Sequence, residues 1–364
     1  MCIELRSRSG TLVEYMRKMN ESKKKDEVFD SVKLDSIPEF SKLKKKVDYV
    51  VKNSSWWDLY GVDWTLVAVM GFLFAVSLWL LRFDSWLTFF AGAFLYSLFH
   101  HSFATKCGHL AGHGSMCQNK KYSRPLAAFF IEFTGQFSEE LAYDAHIKEH
   151  HPYTNVLGIG DSSTWKAPFL PRYIYMFIAP MLLPIVTPLV SVAGLLEKRA
   201  YFGLLKYIIR AGAGFALVTA LFVKVSNYNT GSALLVIWFS RAILSIPYIH
   251  VNIFQHIGLP MYSKQNRPVR IYQMATGVLN LPSNPLLDYA FGHSIISCHV
   301  EHHLFPSLSD NMCLKIKPIV SKFLKENGLP YNEATYSNRL KLFIDKYETL
   351  MVNAPPITHF AGIQ

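Results

Sequence analysis

The chain has 364 residues, 51% of them hydrophobic, and a formal net charge of +11, with a mean hydropathy of +0.17. A soluble domain of this size buries its core without uninterrupted apolar runs long enough to cross a bilayer, roughly 18 residues or more. This chain has several such runs, so it reads as an integral membrane protein, and no nucleic-acid partner is expected.

In chain order, the first fifty residues are polar and Lys-rich, with Lys runs at 23–25 and 44–46 and no secretory signal among them. They read as a solvated segment rather than a lipid anchor. Residues 64–81 and 85–105 carry no charged side chain, and the turn between them, "RFDSW", holds one basic residue, Arg82. Basic residues collect before the first run and again after the second (Lys106, Lys120, Lys121, Arg124), which puts the N-terminus in the cytosol and makes the pair a membrane hairpin. Residues 174–196 are also uncharged but carry Pro180, Pro184 and Pro188, each of which removes a backbone hydrogen bond from a straight helix. That stretch reads as interfacial or re-entrant, not as a full crossing. Residues 207–225 and 232–249, joined by "SNYNTGS", form a second hairpin in which Arg210 and Lys224 snorkel at the ends.

The expected fold is therefore all-α, with four transmembrane helices in two hairpins, both termini cytosolic, and a cytosolic helical cap. Residues 1–58 form the Lys-rich segment, 59–303 the membrane core and 304–364 the cap. Within that cap "NRLKLFIDKYETL" aligns Leu340, Leu342, Phe343 and Tyr347. The five cysteines (Cys2, Cys107, Cys117, Cys298, Cys313) show no CxxC pairing and read as reduced and structural.

This topology places most of the 14 histidines on one side, nine of them in four clusters. "HLAGH" sets His109 and His113 on one helical face at a spacing of four, with Cβ atoms about 5–6 Å apart. In "HIKEHH", His146 and His150 share a face and His151 is turned about 100° away. "NIFQH" repeats the spacing with Asn252 and His256, and "HVEHH" presents His299, His302 and His303 on one face. A catalytic zinc site uses three protein ligands and a structural one four, so nine imidazoles imply two ions. Imidazole suits iron, copper, nickel and zinc alike. A polar site set against an apolar interior favours a redox metal that handles dioxygen, because a hydrocarbon chain offers no carbonyl or phosphate for a Lewis acid to polarise.

The order HxxxH, HxxxHH and HxxHH around two hairpins, with "CGHLAGH", "HHPYTN", "NIFQHIGLP" and "CHVEHHLFPSLS", resembles the membrane-bound fatty acid desaturases from about residue 64 onward. The resemblance implies a di-iron centre that uses dioxygen and two electrons to insert a double bond into an acyl chain. It carries the nine iron-ligand roles onto His109, His113, His146, His150, His151, His256, His299, His302 and His303, and a metal-bound water onto Asn252. Asp144, Glu149 and Glu301 are candidate hydrogen-bond acceptors for the outer ring nitrogens. His100, His101, His250 and His293 flank the boxes without matching a ligand position, and His359 lies in the tail. Two departures stand out. No HPGG of a fused cytochrome b5 is present, so electrons are expected from a separate cytochrome b5 and its NADH-dependent reductase. The second box has three residues between His146 and His150 where many desaturases have two, a spacing also found in related hydroxylases. The substrate is expected to be a fatty acyl lipid or acyl-CoA and the location the endoplasmic reticulum. The alternatives are a lipid hydroxylase of the same superfamily and a non-catalytic membrane scaffold.

Overall fold

The computed structural model describes residues 37–156, 158–159 and 170–352. Expectations for Cys2, the Lys run at 23–25 and His359 fall outside these residues. The described chain is almost entirely helical; its only paired strands are the two-residue β1 (Leu279–Asn280) and β2 (Asn332–Glu333), which lie parallel.

An amphipathic helix, α1 (Phe40–Lys52), buries Leu43 and Val47 and packs on α8 (Asp310–Glu326). α2 (Val62–Leu80) continues from a π-helical turn at Trp57–Gly61 and is apolar on every face. Only Asp63, Met70, Ser77 and Leu78 of it are buried, and the otherwise apolar surface suits a lipid surround. Trp56 and Trp57 are exposed at one end of this rod, and Trp79 and Trp86 at or just past the other. The 24 residues between Trp57 and Leu80 span about 36 Å, enough for a hydrocarbon layer flanked by aromatic belts. α3 (Trp86–His101) packs back along α2: Ser77 Oγ donates to the Gly92 carbonyl at 2.8 Å, and Phe74 stacks on Phe99 at 4.3 Å.

Among the described residues, four helical stretches are long and apolar enough to cross a membrane: Trp57–Leu80, Ile174–Glu197, Tyr201–Lys224 and Thr230–Phe254. This set differs from expectation in two respects. Ile174–Glu197, read above as interfacial, meets the length and composition of a span, whereas the α3 run lies outside this set. The prolines leave their mark all the same. The chain runs through a π turn (Ile174–Ile178) and a 3₁₀ turn (Ala179–Leu182) before settling into α4 (Leu183–Glu197), because each missing N–H breaks the i→i−4 ladder.

The ends of the 174–197 stretch are tied to two histidine-bearing segments. Met176 O accepts from His250 Nε2 at 2.8 Å, close to the third box, and the Ser191 hydroxyl accepts from Ser138 N at 3.0 Å. Lys198 then pairs with Asp144 at 2.7 Å, two residues before the second box.

α5 (Tyr201–Lys224) approaches the π turn Ala128–Thr134 so closely that a Cβ at Gly214 would sit 1.7 Å from Phe133 O. Only glycine permits that approach. α6 (Thr230–Phe254) starts at Asn229, whose side chain accepts from Ser232 N at 2.9 Å. It packs against α3 and carries the third box at its C-terminal end. The six-residue α7 (His299–Leu304), bearing the fourth box, and the 17-residue α8, capped by Ser309, then complete the site. α9 (Tyr336–Asp345) anchors the C-terminal part, with Arg339 donating to the carbonyls of Phe254 (2.8 Å) and Ile257.

Candidate metal centre

The first, second and fourth boxes are presented by short or irregular helices, and the third by the end of the long α6. α3 passes through a π turn (Ser102–Cys107) into Gly108–Gly112, placing the His109 and His113 rings 4.8 Å apart. The second box lies in a π-helix, Tyr143–His150, closed by an i→i+5 hydrogen bond from His151 N to His146 O at 3.1 Å. In this wider turn His146 pairs with His151, their Nε2 atoms 3.1 Å apart, and His150 faces elsewhere. The expected pairing of His146 with His150 on one face is corrected: it assumed an α-helical pitch, and the π turn adds a residue per turn. The fourth box also divides, with His299 and His303 facing one way and His302 the other.

The nine imidazoles gather into two groups whose ligand atoms lie within 4.8 Å of one another. One holds His109, His113, His146, His151 and His302; the other holds His150, His256, His299 and His303. Their Nε2 atoms point inward. His302 lies 3.1 Å from His151, His256 2.8 Å from His299, His303 3.2 Å from His299 and His150 3.3 Å from His303, all measured Nε2 to Nε2. The Nε2 atoms of His109 and His113 are buried with no hydrogen-bond partner.

Burial holds all nine rings below the ordinary imidazole range, to about 4 for His109 and His256 and well below that range for the other seven. They are therefore neutral at pH 7, the form that ligates a metal. Neutral imidazoles whose lone pairs converge at these distances repel unless a cation lies between them. Two nitrogens each about 2.0–2.1 Å from one ion sit about 2.9–3.4 Å apart for octahedral or tetrahedral angles. The observed separations match, and the donor set fits a metal ion in each group.

At four rings the outer nitrogen fixes the tautomer, whereas Nδ1 of His146, His150, His151 and His302 is buried without a hydrogen-bond partner. His256 Nδ1 contacts Gly277 O at 3.1 Å, His299 Nδ1 contacts Ser294 O at 2.8 Å, His303 Nδ1 contacts Thr154 Oγ1 at 3.1 Å and His109 Nδ1 contacts Ser294 Oγ at 3.3 Å. A proton held on Nδ1 leaves the Nε2 lone pair free. The carboxylates expected in this role do other work. Asp144 pairs with Lys148 and Lys198, Glu149 is exposed, and buried Glu301 accepts from Tyr331 OH at 2.7 Å and Asn280 Nδ2 at 3.0 Å. Thr154 and Ser294 were missed because short hydroxyl side chains carry little signal, although Thr154 lies inside "HHPYTN". His100, His101, His250 and His293 lie outside both groups. His250 is held between Tyr336 OH (2.5 Å) and Met176 O, and His293 between Ser297 and Asp288.

Below this cage lies a buried ion cluster. Lys106 Nζ is 2.9 Å from Asp310 and 3.6 Å from Asp63, and all three side chains are at most 5% exposed. Asp310 also accepts from the backbone N–H groups of His293 (2.8 Å) and Ser294 (2.9 Å) beside Gly292, whose φ of +99° excludes other residues without strain. Burial alone would raise the Asp310 carboxyl, but Lys106 outweighs it and lowers it to about 2. Lys106 is itself raised above its ordinary value by the two carboxylates, against the pull of burial. The chain Lys106–Asp310–Ser294 thus supports one ring of each group, His109 and His299.

An elongated cavity touches both groups through His109, His146 and His299, and its remaining wall is mostly apolar. Ala104, Gly108 and Gly135 form a smooth side, and Leu183, Pro184 and Thr187 of α4 form another. Asn252 lies on the wall one turn before His256, with its amide donating to Tyr248 O at 2.8 Å.

The family profile described as Fatty acid desaturase matches residues 84–335. The chain is 49% identical to "Fatty acid desaturase 6" of Homo sapiens over 318 residues, covering 87% of this chain and 89% of that protein. It is 48% identical to the protein of the same name from Bos taurus over 323 residues, 88% of this chain and 94% of the relative. A more distant similarity, 24% over 131 residues, links 36% of the chain to 29% of the "Acyl-lipid (9-3)-desaturase" of Borago officinalis.

Proposed function

The chain belongs to the fatty acid desaturase family, and on that footing we propose that it is a membrane di-iron desaturase that removes two hydrogens from adjacent methylenes of a lipid acyl chain. The observation that carries this reading is the convergence of nine neutral, inward-facing imidazoles beside an apolar cavity. His109, His113, His146, His151 and His302 hold one iron; His150, His256, His299 and His303 hold the other, with Asn252 completing the four-histidine set through a water. Two such ions, with dioxygen and two electrons, supply the oxidising power for C–H cleavage.

The protein's own part is to place the chain and keep the site dry. The wall formed by Ala104, Gly108 and Gly135 lets a methylene chain lie close to His109, and Leu183 and Pro184 close the opposite side. The extra residue in the second box is taken up by the π turn, so its spacing does not favour hydroxylation. Electrons come from a separate cytochrome b5 and its NADH-dependent reductase, with exposed Lys120, Lys121 and Lys148 near the second box as a docking face. The membrane is that of the endoplasmic reticulum, with the histidine side and both termini cytosolic. Mass spectrometry of acyl chains from cells making the protein tests the reaction. Loss of two hydrogens, absent with His302→Ala, is expected; gain of one oxygen would make it a hydroxylase instead.

A further inference from the structure

The cavity wall on α6 is a single helical stripe, Arg241, Ser245, Tyr248 and Asn252, at spacings of three and four. From Asn252, next to the metal groups, to Arg241 is 11 residues, about 16 Å along the helix axis. Arg241 is the twelfth residue of this 25-residue candidate span, so it lies near mid-membrane, and it is only 3% exposed. A guanidinium at that depth is costly without a counter-charge.

Among the described residues none supplies one. Arg241 Nε and Nη2 donate to Tyr96 OH at 3.2 and 3.1 Å, and Nη1 donates to Gln136 Oε1. These partners are neutral. Glu132 pairs with Arg210 at 2.9 Å, and Glu139, which lines the same cavity, pairs with Arg124 at 2.7 Å. A guanidinium has five N–H groups, so two remain after these bonds.

We propose that Arg241 is an anion subsite at the inner end of the cavity, taking the terminal carboxylate of a long-chain lipid. Tyr96 and Gln136 hold the guanidinium plane, and the free N–H pair offers the geometry that suits a carboxylate. This rests on the reading that the cavity takes an acyl chain, and it narrows the substrate class to chains with a carboxylate at the buried end. Two sources share that chemistry: a free fatty acid entering carboxylate first, and an acyl thioester whose distal end is oxidised to a carboxylate.

Binding to the purified full chain in detergent tests it without turnover. The probes are octadecanoate against methyl octadecanoate, and ω-carboxyoctadecanoyl-CoA against octadecanoyl-CoA, with wild type, Arg241→Gln and Arg241→Lys. In wild type, at least one carboxylate probe binds about tenfold or more tightly than its neutral partner, as expected of a hydrogen-bonded charge pair. The first comparison reports a free acid, the second an oxidised distal end. Arg241→Gln removes the preference and Arg241→Lys retains part of it. Equal binding of neutral and carboxylate probes by wild type, or a preference that survives in folded Arg241→Gln, overturns the subsite while leaving the desaturase reading intact. Failure of every probe to bind overturns both.

Discussion

The orientation of four of the nine imidazoles, His109, His256, His299 and His303, is set at the outer nitrogen. Thr154→Val removes the hydroxyl beside His303 and Ser294→Ala removes the one beside His109, leaving the inner nitrogens in place. Each is expected to weaken iron binding or activity by about 10–100-fold, measured by competition with a chelator, with little change in thermal midpoint. Lys106→Met leaves Asp63 and Asp310 buried without their cation and is expected to cost about 3–5 kcal/mol, read as a lower unfolding midpoint. The pH dependence has a defined sign. A carboxyl lowered to about 2 in the fold adds stability that is present above its unfolded value near 4 and is lost as pH falls through 2. Wild type should therefore lose stability between pH 4 and 2 more steeply than Lys106→Met does. At this scale the sequence already named all nine converging histidines. It missed Thr154 and Ser294, whose contacts come from neighbours distant along the chain, and it offered Asp144, Glu149 and Glu301 as candidates because carboxylates are conspicuous in print while carbonyl acceptors such as Gly277 O are invisible there.

Elements decide how the boxes divide. Periodicity predicted helices at every box, but spacing alone does not reveal a π turn, and the π turn gives His146 and His151 to one group and His150 to the other. Deleting Ile147 removes the residue that this turn accommodates. The deletion is expected to lower bound iron and abolish product while leaving the far-ultraviolet helix signal unchanged; full iron retention would show that the π geometry is dispensable. Helix α5 depends on the close approach at Gly214, where a Cβ would overlap the Phe133 carbonyl. Gly214→Ala is expected to destabilise by about 1–3 kcal/mol or more, visible as a lower thermal midpoint. Such contacts across elements leave no trace in the linear pattern, since Gly214 reads there as one more small residue in an apolar run.

For the molecule as a whole, convergence of the boxes restricts topology. His150 precedes and His256 follows three long apolar stretches, yet both belong to one group, so an even number of those stretches crosses the bilayer. The contacts of the 174–197 stretch with segments near the third and second boxes favour that one as lying along the histidine side. A cysteine at Ala200→Cys, between α4 and α5, should then react with an impermeant thiol reagent from the cytosolic side, and one at Thr230→Cys, at the start of α6, from the opposite side. Reversal of either result would mean that a different pair crosses. Apolar runs made the helical, membrane-spanning character legible, whereas proline spacing and hydropathy disagree on the 174–197 stretch, which is long and apolar enough to cross. The proposal that two caged irons underlie the chemistry is tested most directly by the iron content of protein purified without oxygen. Two irons per chain are predicted for wild type, falling toward one in His302→Ala; a well-folded wild-type sample without iron, or one whose iron is indifferent to that substitution, would contradict it.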